Sequence, residues 1–388
     1  MRTLVNRGSS RRRSAPRIAL LGVAAALGLS AVAADAEWQN PSERYARVHE
    51  DYAGAQCPIP ADGLQHFVYF ARDRGAIRGH AFLNHPRFVG AQIMYPWSLL
   101  EPSEGRYDFS QIEEDLEYLA SQGKTLFVQL QDTTFNPGFK ATPDYVNAPE
   151  YGGGSVLQES DAGIPEGWAA KRWHPQVRDR FAALLAALGE AFDGKIAGLN
   201  LQETALGVEG AVDFQAAEYV EAVKGNMRAL KQAFPRSASL QYANFMPGEW
   251  LPWEDRGYLR GVYRYGQEIG VGLGAPDLMM RRKGQLNHAL AMMHELELDV
   301  PLGIAIQDGN YAGATGADFP PGTEVPVPDS LDPRENLVPK LQAFAKGFLG
   351  VQFMFWVNQE PYFSRHVLPC FAGDGADRFE PSVGPDAP

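Results

Sequence analysis

Eight short runs rich in β-branched and aromatic residues recur along the chain with amphipathic helical stretches between them, and this alternation restricts the folds open to it. The runs are Gln65–Ala71, Val89–Tyr95, Thr125–Gln131, Ile196–Gln202, Ser239–Phe245, Gly270–Gly274, Leu302–Gln307 and Val351–Val357. Helical spacing predicts helices over Ser110–Ser121, Pro175–Phe192, Phe214–Phe234, Leu259–Glu268, Gly284–Leu298 and Pro333–Phe348. In the second of these, Phe181, Leu184, Leu185, Leu188 and Phe192 recur every three or four residues and share one face. Strands that alternate with helices pair in parallel, and eight such units predict an α/β fold, a single (β/α)8 TIM barrel with long βα loops. An open doubly wound sheet normally carries a glycine-rich phosphate loop after its first strand, and none follows Gln65–Ala71. The longest interruption, Asp132–Trp168, is rich in Gly and Pro and follows the third strand, at the end where barrels build their sites.

The barrel is expected to fill residues 61–375, between a lead-in over 37–60 and a C-terminal tail over 376–388. Ahead of these, Arg2, Arg7, Arg11, Arg12, Arg13 and Arg17 precede an apolar run from Ile18 to Ala34, and Ala34-Asp35-Ala36 has the small-x-small form of a cleavage site. Residues 1–36 therefore read as a secretory signal peptide, and the mature protein as secreted or periplasmic, with no membrane partner after cleavage. A retained membrane anchor is the alternative, against which the shortness of the run argues. The formal charge of the whole chain is −12, and without the signal 29 basic side chains face 46 acidic ones, giving −17. That balance opposes nucleic acid as a partner. The 2 cysteines, Cys57 and Cys370, flank the first and last strand runs. In an oxidising compartment a disulfide between them would tie the two ends of the barrel, the alternative being two free thiols.

Strand parity narrows the search for a site. In Leu302–Gln307 the large residues Leu302, Ile304 and Ile306 alternate with Gly303, Ala305 and Gln307, which should point into the barrel. The fourth strand repeats this with Gly198, Asn200 and Gln202 inward, and the third with Gln129 and Gln131. Each of these strands ends in an inward Gln followed by an acid: Gln131-Asp132, Gln202-Glu203 and Gln307-Asp308. Gln92, Gln241 and Gln352 are further strand glutamines. Buried amides must be hydrogen-bonded, so converging ones imply a satisfied polar network or a ligand.

The segment Tyr95-Pro96-Trp97-Ser98-Leu99-Leu100-Glu101-Pro102-Ser103-Glu104-Gly105-Arg106-Tyr107-Asp108-Phe109-Ser110 resembles the stretch after the second strand in the large clan of retaining (β/α)8 glycoside hydrolases. That clan includes cellulases, β-galactosidases and β-mannanases, and the resemblance runs in register over most of residues 65–363. It implies a general acid/base at the end of the fourth strand, where Asn200-Leu201-Gln202-Glu203-Thr204 offers Glu203, with Gln202 in the place usually held by Asn. Such an acid is held above its ordinary pKa to protonate the leaving group. The resemblance also implies a Glu nucleophile after the seventh strand, where this chain has Asp308, one methylene shorter. Asp308 is then a nucleophile, a base that activates water, or the mark of a site that has lost this step. Glu360 and Asp277 are alternative catalytic carboxylates. Trp356 matches the clan's tryptophan beneath the cleaved sugar, and Trp97, Phe135, Trp250, Trp253, Tyr311 and Tyr362 follow strands at the same end as possible aromatic platforms. Asp132, Asn200, Gln202, Asn244 and Gln307 are candidate contacts to sugar hydroxyls. No cofactor and no metal is expected, since the 8 His are scattered without ligand spacing. The expected activity is hydrolysis of O-glycosidic bonds in a poly- or oligosaccharide; the rival is a carbohydrate-binding protein without turnover on the same scaffold.

Overall fold

A computed structural model describes residues 43–160, 162–315, 318 and 336–372. The signal peptide, the first part of the lead-in and the C-terminal tail over 376–388 lie outside the described residues. Eight parallel strands close into a barrel: Gln65–Tyr69, Phe88–Pro96, Thr125–Gln131, Gly198–Leu201, Ala238–Tyr242, Gly272–Ala275, Leu302–Ile306 and Phe353–Val357. Each pairs with its neighbours in sequence order, and the first closes against the eighth. Helices Ser110–Ser121 and Pro175–Phe192 match their predicted spans. The helix expected over Gly284–Leu298 is two short ones, Lys283–Leu286 and Ala289–Glu295. The chain breaks between them at His288, whose ring is hydrogen-bonded to the buried Glu249.

Parity holds in the barrel wall. Phe67, Phe127, Phe353 and Phe355 point inward and pack edge to face, with Phe127 and Phe355 ring centres 4.9 Å apart. Gly198 and Gly303 leave room for these rings, because a Cβ at Gly198 would lie 2.5 Å from Phe127. In the same interior, Gln92 Nε2 donates to Asn200 Oδ1 at 2.7 Å and reaches Tyr242 OH at 3.4 Å. The glutamines do not all converge, however. Gln241 pairs in register with Leu201, so it faces the helices, and Gln352 is exposed ahead of the eighth strand, where its Oε1 accepts Leu302 N–H.

Two strands stop earlier than expected. The fourth ends at Leu201 and the fifth at Tyr242, so Gln202–Thr204 and Ala243–Phe245 are free of the ladder. The insertion after the third strand folds as a small antiparallel sheet of Thr133–Thr134, Pro165–Ala170 and Ser155–Glu159. At the opposite end of the barrel Cys57 and Cys370 form a disulfide across 313 residues, beside an Ile59 N–H donated to Cys370 O at 2.7 Å. Cross-linking so long a loop restricts the unfolded chain strongly. The double variant Cys57→Ser/Cys370→Ser is expected to lose about 2–5 kcal/mol of stability in urea unfolding, and an unchanged midpoint would count against this account.

Candidate active site

Residues that leave the C-terminal ends of the strands meet at the mouth of the barrel. Glu203 follows the fourth strand, Asn244 the fifth, Asp277 the sixth, and Asp308 and Asn310 the seventh. Glu203 keeps partial solvent access, while Asn244 Nδ2 donates to its Oε2 at 2.7 Å and fixes the carboxyl. Removal from water pushes the Glu203 pKa up to about 8; the negative charge of Asp277 adds to the rise, and the Asn244 hydrogen bond and the Arg172 charge oppose it. Asp277 is also raised by burial, with contributions from Asp318 and Asp308, and is opposed by Asn310 and Arg282. Asn310 Nδ2 donates to Asp277 Oδ1 at 2.9 Å, which favours the ionised form. The two acids are therefore coupled: Asp277 gives up its proton first, and its charge then holds the proton on Glu203.

Two buried phenols flank this pair. Tyr69 is raised by burial and by the neighbouring Tyr242, Asp308 and Glu203; Tyr242 is raised by burial against the Gln92 hydrogen bond, and Asp277 adds to it. Both stay protonated as donors. Asp308 is exposed, and its charge reaches Tyr69, Asp277 and Tyr311, whereas the carboxylate that acts on Glu203 is Asp277. Glu360, also exposed, accepts the Ser364 hydroxyl at 2.5 Å. Gln307 is half-buried, and its N–H donates to Asn310 Oδ1 at 2.9 Å.

Several expected sugar contacts are engaged elsewhere. Asp132 is buried, and both its oxygens accept from Arg172 at 2.7 Å, so it is half of an ion pair and no hydroxyl contact. Gln202 Oε1 accepts the N–H groups of Asp132 and Thr133 at 2.9 and 2.8 Å. Asn200 lies inside the barrel, held by Gln92. Trp356 pairs in register with Ile306 and Val68, so it faces outward; it is 0% exposed and donates from Nε1 to His66 Nδ1 at 3.1 Å. Tyr311 is buried parallel to it and donates its hydroxyl to Val357 O at 3.0 Å. Trp97 is buried against Phe181 and donates to Glu101 at 2.8 Å.

Glu101 also accepts from Gly105 N–H and from Arg180 on the Pro175–Phe192 helix. The Trp97–Gly105 motif is thus a latch between the second βα loop and that helix. Aromatic surface remains on other loops, with Phe135 51% and Trp253 66% exposed and Trp250 half-buried, its Nε1 donating to Glu209. Tyr69, Tyr242, Asn310 and Arg172 were not foreseen as site residues. Asn310 lay within the segment already singled out after the seventh strand, and Tyr69 falls on the inward parity of the first. Among the described residues no group of three or more His, Cys, Asp or Glu could hold a metal ion, and no helix is long and apolar enough to cross a membrane.

No protein-family model matches the chain, and no curated protein matches it in sequence. Solved structures similar to it include the catalytic domain of β-amylase from Paenibacillus polymyxa, with 8% identity and a TM-score of 0.49 over 76% of this chain and 92% of that one. Endo-glycoceramidase II from Rhodococcus sp. gives 10% and 0.45 over 78% and 75%. Xylanase 10B from Thermotoga petrophila RKU-1 gives 12% and 0.43 over 76% and 82%. The likeness is one of fold. What the mouth of the barrel can do is argued from its own residues.

The Glu203 environment has a consequence for stability. Its folded pKa of about 8 exceeds the ordinary 4.5, so between those values the folded protein holds a proton that the unfolded chain releases. Stability from this group falls as pH rises through that window. Glu203→Gln cannot ionise and is expected to gain thermal midpoint on the parent as pH goes from 4.5 to 8.5. A difference that stays flat across that range would contradict the buried, coupled carboxyl.

Proposed function

We propose that the protein is a glycosidase that hydrolyses O-glycosidic bonds of a poly- or oligosaccharide, with Glu203 as general acid/base and Asp277 as the facing carboxylate. The observation that carries the reading is the coupled pair: a partly accessible Glu203 that keeps its proton near neutral pH, fixed by Asn244, beside an Asp277 whose ionised form is favoured by Asn310. Glycosidic cleavage needs this asymmetry. One carboxylic acid protonates the leaving oxygen while a carboxylate stabilises the oxocarbenium-like centre, by attacking it or by activating water. The Tyr69 and Tyr242 hydroxyls supply neutral donors beside the pair. Asp308, on the rim, acts on Asp277 through its charge and is the second candidate for the carboxylate role.

The substrate class follows from the surroundings. Exposed aromatic faces at Phe135 and Trp253 suit the C–H faces of sugar rings, and the acidic mature chain suits a neutral or cationic glycan better than an anionic one. A disulfide across the barrel ends and the Arg-rich leader support a secreted or periplasmic setting.

The test is a screen of oligosaccharides and aryl glycosides for released reducing ends. Glu203→Gln is expected to lose about 10²–10⁴-fold in kcat on substrates with poor leaving groups, and far less on aryl glycosides whose leaving group needs no proton. Asp277→Asn should lose activity on both and shift the alkaline limb of kcat/KM to lower pH, because the charge that lifts Glu203 is gone. If Asp308→Asn shows the larger loss, the carboxylate role passes to Asp308. Saccharide binding with no turnover on any substrate would refute the hydrolase and favour the binding protein.

A further inference from the structure

Beyond Leu201 the chain leaves its ladder, so the backbone of Gln202, Glu203 and Thr204 needs partners outside the sheet. Side chains from other elements meet their carbonyls one by one. Gln241 Nε2 donates to Gln202 O at 2.7 Å, Arg172 Nη1 to Glu203 O at 2.7 Å, and Tyr219 OH to Thr204 O at 3.0 Å. The Thr204 hydroxyl donates onward to Phe245 O at 2.5 Å. Arg172 is the hub of this arrangement. Its Nε and Nη2 donate to the two oxygens of Asp132, and its Nη1 also donates to Tyr219 OH at 3.0 Å. Gln202 Oε1 closes the circuit by accepting from the backbone of Asp132 and Thr133.

A buried ion pair is a poor device for stability alone, because removing two charges from water offsets most of their attraction and an apolar pair serves as well. An apolar pair could not donate to Glu203 O, nor set a permanent positive charge near the carboxyl. The small antiparallel sheet ends at Ala170, so the inserted segment delivers Arg172 two residues later beneath the acid.

We propose that Arg172, held by Asp132 and Tyr219, is a positioning residue for Glu203 that fixes the acid's backbone and restrains its affinity for a proton. The inference rests on the proton-donor reading of Glu203. The charged and titratable groups around that carboxyl are Asp277 from the sixth strand end, Tyr69 from the first strand, Tyr219 from the Ala216–Ala233 helix, and Arg172. Arg172 is the cation among them. It works against the burial and the Asp277 charge that raise Glu203.

The experiment titrates Glu203 by carbon NMR of side-chain-labelled glutamate in the full chain, the resonance being assigned by its loss in Glu203→Gln. The pH profile of kcat/KM is measured in parallel. Arg172→Met is expected to raise the Glu203 midpoint by roughly half a unit, and Asp132→Asn to lower it, since it leaves Arg172 uncompensated. A general loosening of the fold does not produce opposite signs. In Arg172→Met kcat should fall about 10- to 100-fold with KM little changed, as expected for a misplaced acid. Arg172→Lys keeps the charge but not the planar fork, so it should hold the midpoint and recover only part of kcat. If Arg172→Met does not fold, Asp132→Asn and Arg172→Lys carry the same comparison. A midpoint unchanged in every folded charge variant, or moved in the same direction by Arg172→Met and Asp132→Asn, overturns the proposal. Because the titration needs no substrate, opposed shifts in a protein that cleaves no glycan would instead overturn the glycosidase reading and leave the Arg172–Glu203 coupling standing.

Discussion

A carboxyl group withdrawn from water beside a second carboxylate is an unfavourable arrangement, and the mouth of this barrel is organised around keeping one in place. Glu203 cannot relieve the situation by turning outward, because Asn244 holds its Oε2 and Arg172 holds its backbone carbonyl. It relieves it by keeping a proton. Asp277 cannot do the same as readily, since Asn310 and Arg282 favour its charge. The asymmetry between two acids that differ by one methylene is therefore a product of their neighbours, and each neighbour comes from a different element of the barrel.

Beneath the acids the interior is graded. Inward rings of Phe67, Phe127, Phe353 and Phe355 exclude water from part of the barrel, and the amides of Gln92 and Asn200 bond to one another beside Tyr242. Buried amide oxygens of Gln92, Gln129 and Gln131 have no protein donor. Such acceptors suit sugar hydroxyls or water reaching down from the mouth. The expectation of a network or a ligand at the inward glutamines thus divides: Gln92 belongs in part to the network, Gln202 is bound to the third strand's backbone, and Gln131 keeps an unused acceptor.

The fold was legible because its signals are local. Period-two alternation marked the wall, and the spacing of Phe181, Leu184, Leu185, Leu188 and Phe192 marked a helix whose ends match the prediction. The site was legible only where it followed from strand order, as for Glu203. Trp356 shows the limit. Its direction depends on register with Ile306, which was itself read as outward-facing, but the pairing of strands seven and eight is a property of the closed barrel and not of either segment. Asp132 was misassigned for a related reason: its partner Arg172 is 40 residues away, on the far side of an insertion whose internal pairing nothing in the composition announced. The most motif-like segment was misleading in a different way. Trp97 and Glu101 belong to a latch with Arg180, and a latch that sets the second βα loop against a helix is a requirement of the architecture, whatever chemistry the mouth performs.

That separation bears on how a barrel of this kind can change its chemistry. The latch, the aromatic interior and the helix faces constrain one another through packing, so a substitution there disturbs the fold. The acids are held differently, by single hydrogen bonds from loops: Asn244 to Glu203, Asn310 to Asp277. A carboxylate can then move from one strand end to the next provided a donor moves with it. Asp277 acting on Glu203 from the sixth strand end, with Asp308 exposed after the seventh, is the pattern such a transfer produces. The shorter side chain of an aspartate limits its reach, so what decides which of the two serves is the path of the backbone beyond the ladder. In this protein that path is set on the Glu203 side by Arg172, Tyr219 and Gln241, and on the Asp277 side by the Gln285 amide donated to Asp277 O at 2.7 Å.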